Sequence, residues 1–122
     1  MSKKNILFID DDTFILELLR KSFEHDVFEM HFFNHPEDAL KFLDDHYVDV
    51  VVADFSMPKI KGKQLFTNIK FKQPECACIV LSGVADINDI IGLLNEKLID
   101  GFLKKPWKYQ ELKDLVLKLT VS

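Results

Sequence analysis

Four short apolar runs in this chain of 122 residues end in side chains that could do chemistry. They end, in chain order, at Asp10–Asp12, Asp54, Ser82 and Lys105. Several carboxylates at one place would repel one another unless a cation lay between them, and a hard divalent ion such as Mg²⁺ suits carboxylate oxygens. The lysine would add a fixed positive charge, and the serine a short hydroxyl donor. A carboxylate nucleophile, a metal ion, a lysine and a hydroxyl are together the groups that phosphoryl transfer needs.

The order of the elements determines whether these side chains meet. Apolar runs predict strands at 6–9, 28–33, 48–53, 78–81 and 101–103. Apolar residues at helical spacing predict helices at 13–23, 36–43, 62–71, 87–95 and 109–119. Continuous apolar runs are typical of strands buried on both faces. Five β-α repeats therefore predict an α/β fold with a doubly wound parallel sheet, in which ligands bind at the carboxyl ends of the strands.

Each of these residues also has an ordinary structural interpretation. An acidic run after a strand often only caps a helix, and Asp12 or Thr13 is expected to cap the first helix here. A single lysine is most often a surface residue, and a single serine most often bonds nearby backbone. The indication of function comes from finding all of them at one predicted edge of the sheet.

Length and composition narrow the class further. We expect one domain over residues 1–122, long enough to bury a hydrophobic core without disulfides. The net charge of −4 lacks the basic footprint of nucleic-acid binding. No apolar run approaches the ~20 residues that cross a bilayer, and no signal peptide is evident, so a cytoplasmic location is expected. Cys76 and Cys78 are expected as reduced thiols near a buried strand, on opposite faces of it.

From Asn5 to Leu119 the sequence resembles the response regulator receiver domains of two-component signalling systems. The resemblance lies in four motifs at compatible spacing, Ile6–Asp12, Val51–Pro58, Ile79–Gly83 and Phe102–Trp107. It implies a (βα)5 flavodoxin-like fold with strand order 2-1-3-4-5. The segments 82–86 and 105–107 look like a subgroup that often carries output domains after the receiver.

The resemblance implies a role for each matching residue. Asp54 would accept a phosphoryl group from the phosphohistidine of a sensor histidine kinase or phosphotransfer protein. Asp10, mainly through water, and Asp11 would hold Mg²⁺, together with Asp54 and the backbone carbonyl of Ser56. The domain would assist its own phosphotransfer and dephosphorylation without being an enzyme in the ordinary sense.

The remaining roles concern the phosphoryl group and the switch. Ser82 and Lys105 would each bond a phosphoryl oxygen, and the Lys105–Pro106 peptide bond would be cis. Phe102 would be the aromatic switch on the face built from the fourth helix, fifth strand and fifth helix. Lys97 stands where glycine commonly ends the fourth helix, which leaves the end of that helix open.

Three other functions are compatible with parts of the pattern. A pseudo-receiver would be an interaction domain with this fold and no phosphorylation. An aspartate-nucleophile phosphatase of the haloacid-dehalogenase type would use Asp10 as its nucleophile, but the turn glycine and cap segment are missing. A flavodoxin-like cofactor binder would need a Ser/Thr/Gly-rich loop where Asp10–Asp12 stand. An output domain, a target protein or a homodimer partner is open, and no nucleic acid or membrane contact is expected.

Overall fold

The chain folds as five β-α units in a computed structural model that describes residues 3–24, 26, 28–57, 60–83 and 86–120. Pro58, Val84 and Ala85 of the sequence motifs lie outside the described residues. The elements are β1 (Lys4–Ile9), α1 (Thr13–Ser22), β2 (Phe28–Phe33), α2 (Pro36–Asp45), β3 (Val50–Asp54), α3 (Gly62–Lys72), β4 (Ala77–Ser82), α4 (Ile87–Asn95), β5 (Gly101–Lys104) and α5 (Tyr109–Thr120). None of the described helices is long and apolar enough to cross a membrane.

The five strands form one parallel sheet in the order β2-β1-β3-β4-β5. The predicted fold class and strand order are therefore confirmed. Several predicted boundaries differ from the observed ones by one or two residues, and the start of β3 is one of them, at Val50 and not at Val48. Val48 is fully buried, but its N–H donates to Oε1 of Gln73 at 2.9 Å, so a side chain takes the place of the ladder there.

Alternating residues of the central strands supply two hydrophobic layers. Along β1, Leu7 and Ile9 belong to the layer covered by α2, α3 and α4, whereas Ile6 and Phe8 belong to the layer covered by α1 and α5. The expectation that the two cysteines face opposite ways is wrong. Both are buried in the layer under α2, α3 and α4, because residues two apart in extended chain point to the same face.

Two helix ends that the sequence analysis singled out are the start of α1 and the end of α4. The Asp12 carboxylate caps α1, because its Oδ1 accepts the Phe14 N–H at 2.9 Å. Helix α4 ends in a Schellman motif, in which Leu98 N–H donates to Leu93 O at 2.9 Å and Lys97 N–H donates to Leu94 O at 3.0 Å. Lys97 has φ of 61°, so it takes the left-handed conformation that glycine usually supplies.

Candidate functional site

Two buried carboxylates lie side by side at the carboxyl edge of the sheet. Strands β1 and β3 pair with Ile9 opposite Ala53, so Asp10 and Asp54 each follow that pair. Their side chains are nearly enclosed, with Asp10 3% and Asp54 5% exposed, while Asp11 is exposed beside them. One carboxylate oxygen from each of these three residues lies within 4.8 Å of the others. Each carboxylate can therefore offer an oxygen to a single ion.

The Asp10 carboxylate is only half satisfied by the protein. Its Oδ1 accepts the backbone N–H of Asp12 at 2.9 Å, but its Oδ2 is buried and has no hydrogen-bond partner among the described residues. The pKa of Asp10 is raised from 3.8 to about 6, mainly by burial and also by the nearby charges of Asp54 and Asp11, while the Asp12 amide and Lys105 act in the opposite direction. A buried carboxylate oxygen without a donor is costly. A hard divalent cation would satisfy it, and the donor set fits Mg²⁺.

Lys105 brings a positive charge to the Asp54 carboxylate. Its Nζ lies 2.6 Å from Oδ1 of Asp54, and the side chain remains 39% exposed along its length. Its backbone N–H donates to the carbonyl of Ser82 at 2.8 Å, which fixes the start of the β5–α5 loop to the end of β4. The Lys105–Pro106 peptide bond is cis, as the resemblance implied.

The other predicted site residues lie at this edge or beside it. Ser82 ends β4 and is 1% exposed, and it lies one residue beyond the Leu81–Asp54 pair. Ser56 is exposed in the turn after β3, and the role of its carbonyl stays a prediction. Phe102 lies in β5, partly buried against the layer under α2, α3 and α4. Its switching role also stays a prediction.

The acidic cluster opens into a cavity of about 920 Å³ that the sequence analysis did not foresee. Asp10, Asp11, Asp54 and Lys105 line one part of it. The apolar part of its wall comes from Ile15 and Leu18 of α1 and from Pro106, Trp107 and Tyr109. Trp107, the single tryptophan of the sequence, stands two residues after Lys105 and was the available sequence signal for this wall.

The fold and the site together define a class, a flavodoxin-like α/β domain with an acidic pocket at the carboxyl edge of its sheet. The family profile of the response regulator receiver domain matches residues 6–117, and the chain belongs to that family. Receiver domains generally bind Mg²⁺ in such a pocket, and they interact with histidine kinases and output domains. The prediction of a receiver domain of two-component signal transduction is confirmed.

Named relatives support the same assignment. The chain is 31% identical over 111 residues to the hydrogenase transcriptional regulatory protein HoxA of Cupriavidus necator, covering 91% of this chain and 23% of HoxA. It is 28% identical over 116 residues to the DNA-binding transcriptional regulator NtrC of Proteus hauseri, covering 95% of this chain and 24% of NtrC. The chain thus spans about a quarter of the length of these two relatives.

A solved receiver domain shows the same architecture at atomic detail. The response regulator receiver domain protein of Clostridium thermocellum superposes with a TM-score of 0.88 at 29% identity, covering 96% of this chain and 94% of that one. The likeness therefore extends over nearly the whole of both chains.

Proposed function

We propose that this domain is a phosphorylation-activated receiver that takes a phosphoryl group from a phosphohistidine onto Asp54. The observation that carries the proposal is the contact of 2.6 Å between Lys105 Nζ and Asp54 Oδ1, beside the partnerless Oδ2 of Asp10. Asp54 is nearly enclosed, Lys105 supplies one fixed positive charge, and the partnerless oxygen of Asp10 can bind a second cation. Such an arrangement suits the transfer of a highly charged group.

The reaction is an in-line exchange of one bond to phosphorus for another. An Asp54 carboxylate oxygen attacks the phosphorus, a P–O bond forms, and the P–N bond to the donor histidine breaks. The bonding pair stays on the imidazole nitrogen, and the ring leaves as neutral imidazole when its other nitrogen carries a proton in the reacting phosphohistidine. Lys105 pairs with one phosphoryl oxygen and the Ser82 hydroxyl donates to another.

Asp10, Asp11 and Asp54, with the carbonyl of Ser56, would hold Mg²⁺. The bound ion supplies positive charge that offsets the crowding of carboxylate and phosphoryl oxygens. The observation that supports an ion here is the buried Oδ2 of Asp10, which has no donor among the described residues.

Phosphorylation would be read elsewhere through a change of charge. The Lys105 ammonium now contacts a carboxylate, and it would follow the added negative charge outward onto a phosphoryl oxygen. Ser82 would move toward the same group and vacate space beside β5. Phe102 would then move inward and alter the face formed by α4, β5 and α5. Equal amide chemical shifts on that face before and after phosphorylation would contradict this switch.

The partners follow from this role. A sensor histidine kinase or phosphotransfer protein would supply the phosphoryl group, and an output domain, a separate target or a second copy would read the altered face. HoxA and NtrC are named as transcriptional regulators and are about four times as long. An attached or separate output that controls transcription is accordingly the favoured outcome. The domain itself acts as a phosphoacceptor, not as an ordinary enzyme.

Phosphorylation with small donors tests the proposal. The protein is incubated with Mg²⁺ and either acetyl phosphate or phosphoramidate, whose P–N bond resembles that of phosphohistidine, and the added mass is mapped by peptide. Asp54→Asn should abolish the addition and Asp10→Asn should reduce it strongly. Asp45→Asn, an exposed aspartate at the end of α2, serves as the matched control.

The possible results separate the competing functions. Mg²⁺-dependent addition on the Asp54 peptide supports the receiver. Addition on Asp10 would favour the aspartate-nucleophile phosphatase. A folded protein that binds Mg²⁺ and takes no phosphoryl group from either donor would favour the pseudo-receiver.

A further inference from the structure

The partly buried carboxylate of Asp26 joins the turn after α1 to the start of α5. Asp26 accepts the Tyr109 hydroxyl on Oδ2 at 2.6 Å and contacts the Lys113 ammonium through Oδ1 at 2.7 Å. These three residues are called here the Asp26 latch. Asp26 is 83 positions from Tyr109 and 87 positions from Lys113 in the chain. The Asp26 side chain is only 12% exposed, so its two bonds are largely shielded from water.

The ring of Tyr109 also packs against the protein core. It contacts the fully buried ring of Phe23 edge-on, with centroids 5.1 Å apart. Phe23 in turn packs on Phe8 at 5.6 Å, and Phe8 lies in β1 two residues before Asp10. Tyr109 is therefore tied to the sheet through its ring and to the α1–β2 turn through its hydroxyl.

Tyr109 of the Asp26 latch lies close to Lys105 both in the sequence and in the cavity. Tyr109 is the first residue of α5 and lines the same cavity as Asp54 and Lys105. Only Pro106, Trp107 and Lys108 separate it from Lys105. The loop is thus held at its start by the bond from Lys105 N–H to the Ser82 carbonyl and at its end by Tyr109.

We propose that Tyr109 is a positioning residue for phosphoryl transfer. By fixing the far end of the β5–α5 loop, the Asp26 latch holds the Lys105 ammonium on the acceptor carboxylate. The inference rests on the proposed function of Asp54 and Lys105. The carboxylates that would hold Mg²⁺ lie directly after β1 and at the end of β3, outside this loop, so the latch should affect the transfer rate and leave Mg²⁺ affinity unchanged.

The test compares two tyrosine-to-phenylalanine substitutions that differ in location. Tyr109→Phe keeps the ring and deletes the latch hydroxyl, whereas Tyr47→Phe deletes a hydroxyl from a tyrosine that is 59% exposed after α2. Mg²⁺ affinity is measured by fluorescence of Trp107, and the initial rate of phosphorylation by acetyl phosphate is measured by intact mass. Asp26→Asn is a second latch variant, in case the first one folds poorly.

We expect Tyr109→Phe to lower the phosphorylation rate by about threefold to tenfold, because a loop without the latch hydroxyl keeps Lys105 on Asp54 for a smaller fraction of the time. Mg²⁺ affinity should be unchanged, and Tyr47→Phe should match the wild type in both measurements. Asp26→Asn should lower the rate in the same direction, because it keeps an acceptor for Tyr109 but loses the charge that holds Lys113.

A double-substitution cycle isolates the route through the lysine. In a Lys105→Ala background, Tyr109→Phe should cause no further loss of rate. An equal loss in both backgrounds, a parallel loss of Mg²⁺ affinity, or an unchanged rate in Tyr109→Phe would overturn the inference while leaving the proposed function intact. A wild-type protein that accepts no phosphoryl group would contradict both.

Discussion

Replacing Asp10 with asparagine should stabilise the metal-free domain while weakening its hold on Mg²⁺. The substitution keeps the shape of the side chain and its acceptor for the Asp12 N–H. It removes a negative charge from a residue that is only 3% exposed and whose Oδ2 has no partner among the described residues. A charge kept there for ion binding costs stability whenever the ion is absent.

The cost follows from the pKa of Asp10. Raising that pKa from 3.8 to about 6 corresponds to about 3 kcal/mol of stability lost when the group is fully ionised. The new amide N–H₂ also needs acceptors, so a net gain of about 1 to 3 kcal/mol is expected for Asp10→Asn at pH 7.5. For a chain of this length, that gain raises Tm by about 4 to 12 °C.

The sign of the pH dependence is fixed by the direction of the shift. An acid whose pKa is higher in the folded state destabilises the fold above about pH 6, and this effect disappears as the pH falls toward 3.8. The Tm difference between Asp10→Asn and wild type should therefore be large at pH 7.5 and small at pH 4. Asp45→Asn, an exposed control, should show no such change.

Thermal unfolding followed by circular dichroism, with EDTA and then with Mg²⁺, measures both effects. Wild type should gain Tm on adding Mg²⁺, because an ion that binds only the folded state stabilises it, and Asp10→Asn should gain much less. Equal Tm values in EDTA at pH 7.5, or a difference that persists undiminished at pH 4, would refute the account of Asp10 as an unsatisfied buried charge.

Four further substitutions test the packing and backbone conformation of α3 and α4 through urea unfolding midpoints. Gly62→Ala should destabilise the folded state by about 1 to 3 kcal/mol, because its Cβ would lie 2.5 Å from a ring carbon of Phe55. Gly92→Ala should stabilise it by about 1 kcal/mol, because Gly92 lies inside α4 with open space around the added Cβ. Shifts of the same sign at the two glycines would contradict this packing. Lys97→Gly should stabilise by about 0.5 to 1 kcal/mol, because it relieves the left-handed φ of 61°, and Lys97→Ala should show no gain if that reason is correct.

Much of the fold could be predicted from the sequence, because strands and helices leave local patterns of apolar residues. Strands buried on both faces appear as unbroken apolar runs, and helices appear as apolar residues at helical spacing, so the five β-α units and the parallel sheet could be predicted. The position of Asp10, Asp54, Ser82 and Lys105 at one edge then followed, because parallel strands share their carboxyl edge. The start of β3 was misplaced because Val48 is apolar and buried, yet it bonds Gln73 and not the neighbouring strand.

Other features depend on contacts between residues that are far apart in the chain. The sequence shows that Asp10 is acidic, but only packing buries its Oδ2 without a donor and raises its pKa to about 6. Asp26 and Tyr109 are 83 positions apart, and nothing in the local pattern of either indicates their hydrogen bond. The sequence by itself determined which groups stand at the strand ends. Only the tertiary structure decided which of them are buried, paired or left unsatisfied, because burial and pairing are set by neighbours that the fold brings from elsewhere in the chain.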